Sequence, residues 1–184
     1  MEKYLDLKKT DHFNLFLEFI FYLDETKIEK ILDAGSRKTS LSILLEIFPK
    51  ASVDAVVFPG DDRKINSIEE NIISKRCVLM EMDICKETIL KKYDLILAHL
   101  LLGEAEKWGN NYQDILTSLI NIECEYILIF DILEDPSINY NYLEYFFKEE
   151  GFELVAKGEI PNKEPQLYEN FVGENYVAYL FKRK

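Results

Sequence analysis

An acidic residue and a glycine stand together in the stretch ILDAGSRKTS, where an apolar segment gives way to small and polar residues. Asp33 and Gly35 form an Asp-x-Gly sequence, which ends the first strand of many nucleotide-binding α/β domains. The glycine lets main-chain N–H groups approach a ligand closely because it has no Cβ. The alternative is that Gly35 only makes a turn from a strand into a helix.

Two other nucleotide-binding loops match this stretch poorly. Residues 35–40 read GSRKTS and keep only the first glycine of G-x-G-x-x-G, the dinucleotide-binding pattern. A phosphate-binding P-loop has a glycine directly before its lysine, whereas Arg37 precedes Lys38 here. We therefore disfavour a nicotinamide-dependent enzyme and a P-loop protein.

Further polar residues follow apolar segments, where open α/β sheets place their sites. His99 comes after DLILA, and its side chain suits proton transfer at neutral pH because its ordinary pKa is about 6.5. Glu104, in LLLGE, is a second candidate base. For both residues the alternative is a structural role. Asp61 follows the Pro59-Gly60 turn, where a helix cap is favoured over a ligand contact.

Strand-like and helix-like segments alternate along the chain and would position these residues. Strands are predicted at 30–34, 52–58, 77–82, 93–98, 126–131, 152–160 and 175–183, and helices at 12–23, 40–48, 63–74, 85–92, 112–122 and 141–150. Asp11 is the predicted cap of the first helix, and Gly151 is predicted to end the last one. Strands such as DLILA are almost wholly apolar, which favours a parallel sheet covered on both faces. The last two strands have no helix between them and are predicted to pair antiparallel at one edge.

Composition narrows the classes of partner. The 184 residues include 34 acidic and 22 basic ones, for a net charge of −12, which disfavours nucleic acid as a partner. Three cysteines and two histidines, without C-x-x-C spacing, suggest neither a disulfide framework nor a metal site. The sequence has no signal-peptide pattern and no segment that predicts a membrane span, so we expect a cytoplasmic protein.

The order and spacing of these segments resemble the class I S-adenosylmethionine-dependent methyltransferases over roughly residues 28–182. ILDAGS is similar to the first family motif, MEMDI to the acid after the third strand, YDLILAHLLLGE to the fourth-strand motif, and YILIFD followed by EEGFELV to the fifth strand and the step after it. The resemblance implies a Rossmann-like three-layer α/β sandwich, with a seven-stranded, mostly parallel sheet and an antiparallel last strand. We expect a single domain over 1–184, with an N-terminal helical segment at 1–27 and the core at 28–184.

The resemblance also implies a function and a site. It implies that the chain transfers a methyl group from S-adenosylmethionine to an oxygen or nitrogen nucleophile of a small molecule or a protein, with no metal. The implied cofactor-binding residues are Asp33, Gly35, Ser36, Arg37, Asp61, Asp83 and His99, and the implied catalytic residues are His99 and Glu104. Asp83 would accept the adenine amine, or alternatively cap the helix that follows.

This chain departs from the family in the loop after Gly35. Arg37 and Thr39 stand where the family has further glycines. Because larger side chains would crowd the methionine end of the cofactor, the alternative function is a catalytically inactive, methyltransferase-like binding or scaffold protein. Trp108 and the aromatic residues of the first helix are predicted to lie in the core rather than in the site.

Overall fold

The computed structural model describes residues 11–24, 26–62, 64–65, 76–132, 138–161 and 175–184, and for residues 11–14 and 160–161 it describes the main chain only. Most of the helix predicted at 63–74 lies outside the described residues. The side chain of Asp11, the predicted helix cap, lies outside them as well.

Seven strands and four helices of ten residues form the described part of the fold. The strands are β1 (Lys30–Ala34), β2 (Ser52–Val57), β3 (Cys77–Glu81), β4 (Tyr93–His99), β5 (Cys124–Ile132), β6 (Phe152–Pro161) and β7 (Asn175–Arg183). The helices are α1 (Asp11–Ile20), α2 (Lys38–Ile47), α3 (Tyr112–Asn121) and α4 (Tyr140–Glu149). Two short 3₁₀ turns, Leu102–Glu104 and Glu106–Trp108, follow β4. No helix among the described residues is long and apolar enough to cross a membrane.

The strands form one sheet in the order β3-β2-β1-β4-β5-β7-β6. The first five strands run parallel, and β7 lies antiparallel between β5 and β6. This topology confirms the predicted sheet. Because β1 is the middle one of the five parallel strands β3-β2-β1-β4-β5, with β2 and β4 on either side, the carboxyl ends of these strands meet at one edge, where open α/β folds bind ligands.

Helices cover both faces of the sheet. Alternate strand residues point to opposite faces, so Ile31 and Leu97 pack with α1 and α2 while Leu32 and Ile96 pack with α3 and α4. Both sets are fully buried, which explains why the strand sequences are almost wholly apolar. The expected three-layer sandwich is therefore present.

Helix α1 lies directly on the last two strands. A Cβ built on Gly158 of β6 would stand 2.9 Å from the Phe19 ring and 3.1 Å from Leu15 Cδ1. Because Gly158 has no side chain, α1 can approach β6 closely at this position. Phe16 and Phe19 are buried beneath α1. The helix ends at Ile20, three residues before the predicted end.

The helix predicted at 85–92 does not form. Residues 82–92, all described, make a turn and then an extended connection from β3 to β4. This segment must pass β2 and β1, a distance of about 14 Å at the usual strand spacing, and must also return along the sheet. Eight helical residues rise only about 12 Å. The geometry of the crossover therefore overrides the local helical pattern.

Candidate functional site

A cavity of about 430 Å³, including its open mouth, lies at the carboxyl edge of the sheet. Polar residues stand at its two ends and apolar residues form its walls. The residues that line it include Gly35, Phe58, Lys64, Asp83, Leu101, Glu104, Trp108 and Asn110.

Asp33 is the next-to-last residue of β1, and its carboxyl is fully buried. Its Oδ2 accepts hydrogen bonds from Ser36 Oγ at 2.7 Å and from Ser40 Oγ at 2.8 Å. Its Oδ1 is buried and has no hydrogen-bond partner among the described residues. Burial raises the pKa of Asp33 to about 6, against the opposing effects of the two serines and of the Arg37 and Lys64 charges. A buried oxygen without a partner is costly, and it is a ready acceptor for a ligand.

Gly35 turns the chain from β1 towards α2 with a φ of 79°, which only glycine adopts without strain. A Cβ at this position would stand 2.6 Å from Leu101 Cδ1. The Leu101 side chain therefore already occupies the open face of Gly35. The sequence predicts that a ligand approaches the main chain of Gly35. In this structure the Leu101 side chain lies there instead.

Three charged side chains from separate segments meet beside the first turn of α2. Arg37 Nη2 lies 2.8 Å from Glu104 Oε1, and Lys64 Nζ lies 2.6 Å from Glu104 Oε2. Arg37 Nη2 also donates to the Leu100 carbonyl oxygen at 3.4 Å. The Nε of Arg37 is buried without a hydrogen-bond partner among the described residues. The two cations thus hold the Glu104 carboxylate between them.

These ion pairs weaken Glu104 as a base. Burial works to raise its pKa, but the charges of Arg37, Lys64 and Lys107 outweigh burial and hold the pKa below its usual value. A carboxylate stabilised in this way takes up a proton reluctantly. The catalytic role of Glu104 stays a prediction, and the geometry favours an ion-pairing role over proton transfer.

Asp61 shows the geometry of a helix cap. Its Oδ1 accepts from the main-chain N–H of Lys64 at 3.3 Å. Its Oδ2 lies 3.6 Å from Lys64 Nζ and 4.0 Å from Lys107 Nζ. Asp61 is not one of the residues that line the cavity. It acts on the cavity by orienting Lys64.

Asp83 stands at the other end of the cavity, after β3. Its Oδ1 accepts from the Cys85 main-chain N–H at 3.0 Å and from Asn110 Nδ2 at 3.3 Å, and its Oδ2 lies 2.7 Å from Lys86 Nζ. Burial opposes ionisation, but these contacts outweigh it and lower the pKa of Asp83. The alternative of a helix N-cap is wrong, because no helix follows. The carboxylate closes a turn and faces the cavity.

Two aromatic rings form the wall between these ends. Phe58 and Trp108 are stacked, with ring centroids 4.3 Å apart and an angle of 22° between their planes. Trp108 is half-buried and lines the cavity, so the expectation that it lies in the core is wrong. It follows β4 in a short 3₁₀ turn and therefore reaches the ligand edge instead of a sheet face.

His99 does not share the cavity with Gly35 and Asp83. It is buried on the α1 face, where its ring stacks on Phe130 with centroids 5.3 Å apart and meets Phe16 edge-on at 5.8 Å. The expectation that His99 lies in the cleft is wrong. Because strand side chains alternate between faces, His99 follows Leu95 and Leu97 onto the α1 face. Its cofactor-binding and catalytic roles stay predictions from the sequence.

At the carboxyl edge of the sheet, the structure thus brings one group of predicted site residues close together: Asp33, Gly35, Ser36, Arg37 and Glu104. Asp83 stands apart from this group, after β3. Ser36 supports the site indirectly through its bond to Asp33 and through its N–H, which donates to Val56 O at 2.6 Å. The sequence analysis did not identify Lys64 and Leu101 as residues of the site. The spacing of Asp61 and Lys64, three residues apart after a turn, was the one local signal for Lys64. Nothing local marks Leu101 as the neighbour of Gly35.

Solved structures with the same architecture were found by comparison of the whole fold. A proposed RNA methyltransferase from Pyrococcus horikoshii shares 16% identity with this chain at a TM-score of 0.65. The match covers 86% of this chain and 77% of the methyltransferase chain. The fold is that of the class I S-adenosylmethionine-dependent methyltransferases. The fold implied by the resemblance is therefore confirmed, although no family model and no curated protein sequence matches the chain.

Two other methyltransferase-fold structures extend the comparison. The 1,6-didemethyltoxoflavin-N1-methyltransferase of Burkholderia thailandensis, solved with bound 1,6-didemethyltoxoflavin and S-adenosylhomocysteine, shares 14% identity with this chain at a TM-score of 0.63. The match covers 86% of this chain and 72% of the methyltransferase chain. A TehB-like methyltransferase from Corynebacterium glutamicum shares 17% identity at a TM-score of 0.61 over 85% of this chain and 80% of its own. These identities are low, so the likeness is one of fold.

Proposed function

We propose that this chain binds S-adenosylmethionine at the carboxyl edge of its sheet and transfers the methyl group to an oxygen or nitrogen nucleophile of a small molecule or a protein. The observation that carries this proposal is the unpartnered, buried Oδ1 of Asp33, two residues before Gly35, which lines a cavity that also reaches Asp83. The edge belongs to a methyltransferase-type sheet.

The residues at the two ends fit the two ends of the cofactor. Asp33 offers an acceptor for an ammonium group, and Arg37 offers a guanidinium for a carboxylate. At the far end, Asp83 offers a carboxylate for an exocyclic amine, with Phe58 and Trp108 as apolar walls. The bound cofactor would supply a methyl group already activated on a sulfonium.

The chain's own part in such a reaction is binding and alignment. A donor that needs no further activation leaves the protein to orient two reactants and to exclude water. The walls formed by Phe58 and Trp108 serve the second purpose. We assign no general base, because the pKa of Glu104 is lowered and His99 does not line the cavity.

A second candidate function is a binding or scaffold module without catalysis. The observations that favour it are the Leu101 side chain on Gly35 and the Glu104 carboxylate on Arg37. Both stand where the amino-acid end of the cofactor would lie. If these contacts are permanent, only a ligand without that end would enter.

The acceptor is proposed as a small molecule or a protein because the net charge of −12 opposes a phosphate backbone. Proteins described as RNA methyltransferases share the fold, so the fold itself does not decide between acceptors. The cytoplasmic location and the single-domain organisation over 1–184 stay predictions from the sequence.

Calorimetric titration of the full chain with S-adenosylmethionine, S-adenosylhomocysteine and NAD tests the proposal. We expect the two sulfur nucleosides to bind and NAD not to bind. Binding followed by methyl transfer to no acceptor in a broad panel would favour the scaffold function. A titration in which neither sulfur nucleoside binds at millimolar concentration, with Arg37→Ala equally inactive in binding, would refute the methyltransferase proposal.

A further inference from the structure

The Glu104 carboxylate occupies a subsite that is built for an anion. Its two oxygens lie 2.8 Å from Arg37 Nη2 and 2.6 Å from Lys64 Nζ. The two cations come from the start of α2 and from the segment after β2, so neither belongs to the 3₁₀ turn that carries Glu104. Charge-assisted bonds of this length are the strong class of hydrogen bond. The chain's own carboxylate is the present occupant.

Other groups at the same place remain unsatisfied. Arg37 Nε and Asp33 Oδ1 are both buried and have no hydrogen-bond partner among the described residues. The side chain of Arg37 is 23% exposed, so its inner nitrogen is hidden while its outer nitrogen meets Glu104. An occupant that satisfied the subsite fully would leave neither atom orphaned. Glu104 is therefore an incomplete ligand of the subsite.

We propose that Glu104 is an internal stand-in for the α-carboxylate of the ligand, which displaces it from Arg37 and Lys64 on binding. This inference rests on the proposed function. The Glu104 side chain closes the subsite in the free protein, and its displacement opens the subsite to the ligand. Glu104 is then a specificity residue: it competes with ligands, and only a ligand that brings its own carboxylate restores the charges that its departure leaves unpaired.

The exchange keeps the electrostatic balance of the subsite. One carboxylate replaces another on the same two cations, and the Arg37 and Lys64 charges already act on Asp33. An ammonium beside the incoming carboxylate would meet the free oxygen of Asp33. An α-amino acid group carries both charges, so the subsite selects nucleosides with an amino-acid tail over nucleosides without one.

Hydrogen bonds fix the main chain just before Glu104. The displacement of Glu104 therefore requires only side-chain rotation. The Leu100 N–H donates to Phe130 O at 2.7 Å, and the Leu102 N–H donates to Asp131 Oδ2 at 2.9 Å. Leu100 has a φ of 52°, a strained conformation for a non-glycine residue that occurs most often at functional sites. Rotation of Leu101 and Glu104 between these anchors would uncover Gly35 and Arg37 together.

The test compares two probes that differ in the amino-acid tail. S-adenosylhomocysteine carries the α-carboxylate, and 5′-methylthioadenosine lacks it. Dissociation constants are measured by calorimetry at one pH and one salt concentration for the unmodified chain, Glu104→Gln and Arg37→Gln. The matched control is Glu106→Gln, which removes the same charge from an exposed residue two positions away.

We expect Glu104→Gln to bind S-adenosylhomocysteine about tenfold more tightly, because the subsite is no longer occupied in most molecules. Arg37→Gln should bind it at least about tenfold more weakly, since the carboxylate loses a charged partner. Binding of 5′-methylthioadenosine should change by less than about threefold in both variants. Glu106→Gln should match the unmodified chain with both probes. Glu104→Asp, which keeps the charge but shortens the side chain, should also tighten S-adenosylhomocysteine binding.

The possible failures are distinguishable. If the unmodified chain binds S-adenosylhomocysteine and neither Glu104→Gln nor Glu104→Asp tightens it, the inference is overturned while the proposed function stands. If Glu104→Gln tightens both probes equally, Glu104 does not mimic a carboxylate, and the inference is again overturned. If neither probe binds the unmodified chain or any variant, the proposed function fails and the inference fails with it.

Discussion

Asp33 is a buried carboxyl whose two oxygens have different surroundings. Oδ2 is held by two serine hydroxyls, and Oδ1 has no hydrogen-bond partner among the described residues. Burial raises its pKa to about 6 from an ordinary value of 3.8. Because the folded state then binds the proton more tightly than the unfolded state, Asp33 contributes stability at low pH that is lost as the pH rises towards 6.

We therefore predict a pH-dependent difference between the unmodified chain and Asp33→Asn. Between pH 4.5 and 7.5 the free energy of unfolding of the unmodified chain should fall relative to that of Asp33→Asn by about 2 kcal/mol. Urea unfolding at several pH values measures this difference. The exposed Asp62→Asn is the control and should run parallel to the unmodified chain. Parallel curves for Asp33→Asn as well would show that the pKa of Asp33 is not raised.

A side chain at Gly35 is predicted to lower the free energy of unfolding. Gly35→Ala combines backbone strain at φ 79° with a Cβ 2.6 Å from Leu101 Cδ1. Gly151→Ala introduces similar strain at φ 83° with no atom within 4 Å of the new Cβ. We expect Gly151→Ala to cost about 1 kcal/mol and Gly35→Ala at least about 1 kcal/mol more, by thermal or urea unfolding.

A double variant separates the two causes. Adding Leu101→Ala to Gly35→Ala should recover part of the lost stability, because it removes the clash and leaves the backbone strain. Equal losses for Gly35→Ala and Gly151→Ala, with no recovery in the double variant, would show that Leu101 does not lie on Gly35.

Among the secondary-structure elements, the end of α2 is linked to the start of β3 by hydrogen bonds from Arg76. Its guanidinium donates to the carbonyl oxygens of Leu45 at 2.8 Å and of Phe48 and Ala51 at 3.0 Å. We predict that Arg76→Met costs about 2–3 kcal/mol in the free energy of unfolding, since buried carbonyls lose charged donors. The control Lys50→Met removes an exposed cation near the same helix end and should cost under about 0.5 kcal/mol. Similar losses in both variants would contradict the capping role.

The strands were predictable because their sequences carry a local signal. Apolar residues such as those of YDLILA and NYVAYLFKR mark buried strands wherever they occur, and the bounds of β1 and β7 match the prediction residue for residue. The 82–92 connection was not predictable from its own residues, because the distance that it spans depends on the strand order. His99 was misplaced because one residue along a strand reverses the face of the sheet.

The site was predictable only in part, for the same physical reason. Asp33, Gly35 and Asp83 stand at strand ends, where the topology decides their location. The contacts of Leu101 with Gly35 and of Glu104 with Arg37 join residues more than sixty positions apart. Side-chain packing between distant segments leaves no pattern in either segment alone.

At the scale of the whole molecule, the charge of −12 predicts the response to nucleic acid. We expect no salt-sensitive affinity for RNA or DNA, because binding to a phosphate backbone releases counterions and weakens steeply as salt rises. Fluorescence anisotropy with labelled RNA and DNA at about 50 and 200 mM salt measures this. Tight binding at the lower concentration that fades at the higher one would point to a nucleic-acid acceptor instead.

The most direct test of the central claim is a crystal structure of the full chain soaked with S-adenosylhomocysteine. We expect density for the ligand at the carboxyl edge of β1, with its amino-acid end between Asp33 and Arg37, its adenine beside Asp83, and the side chains of Leu101 and Glu104 turned away. Crystals soaked at millimolar ligand that show the edge unchanged, with Leu101 on Gly35 and Glu104 on Arg37, or the ligand bound elsewhere, would contradict it.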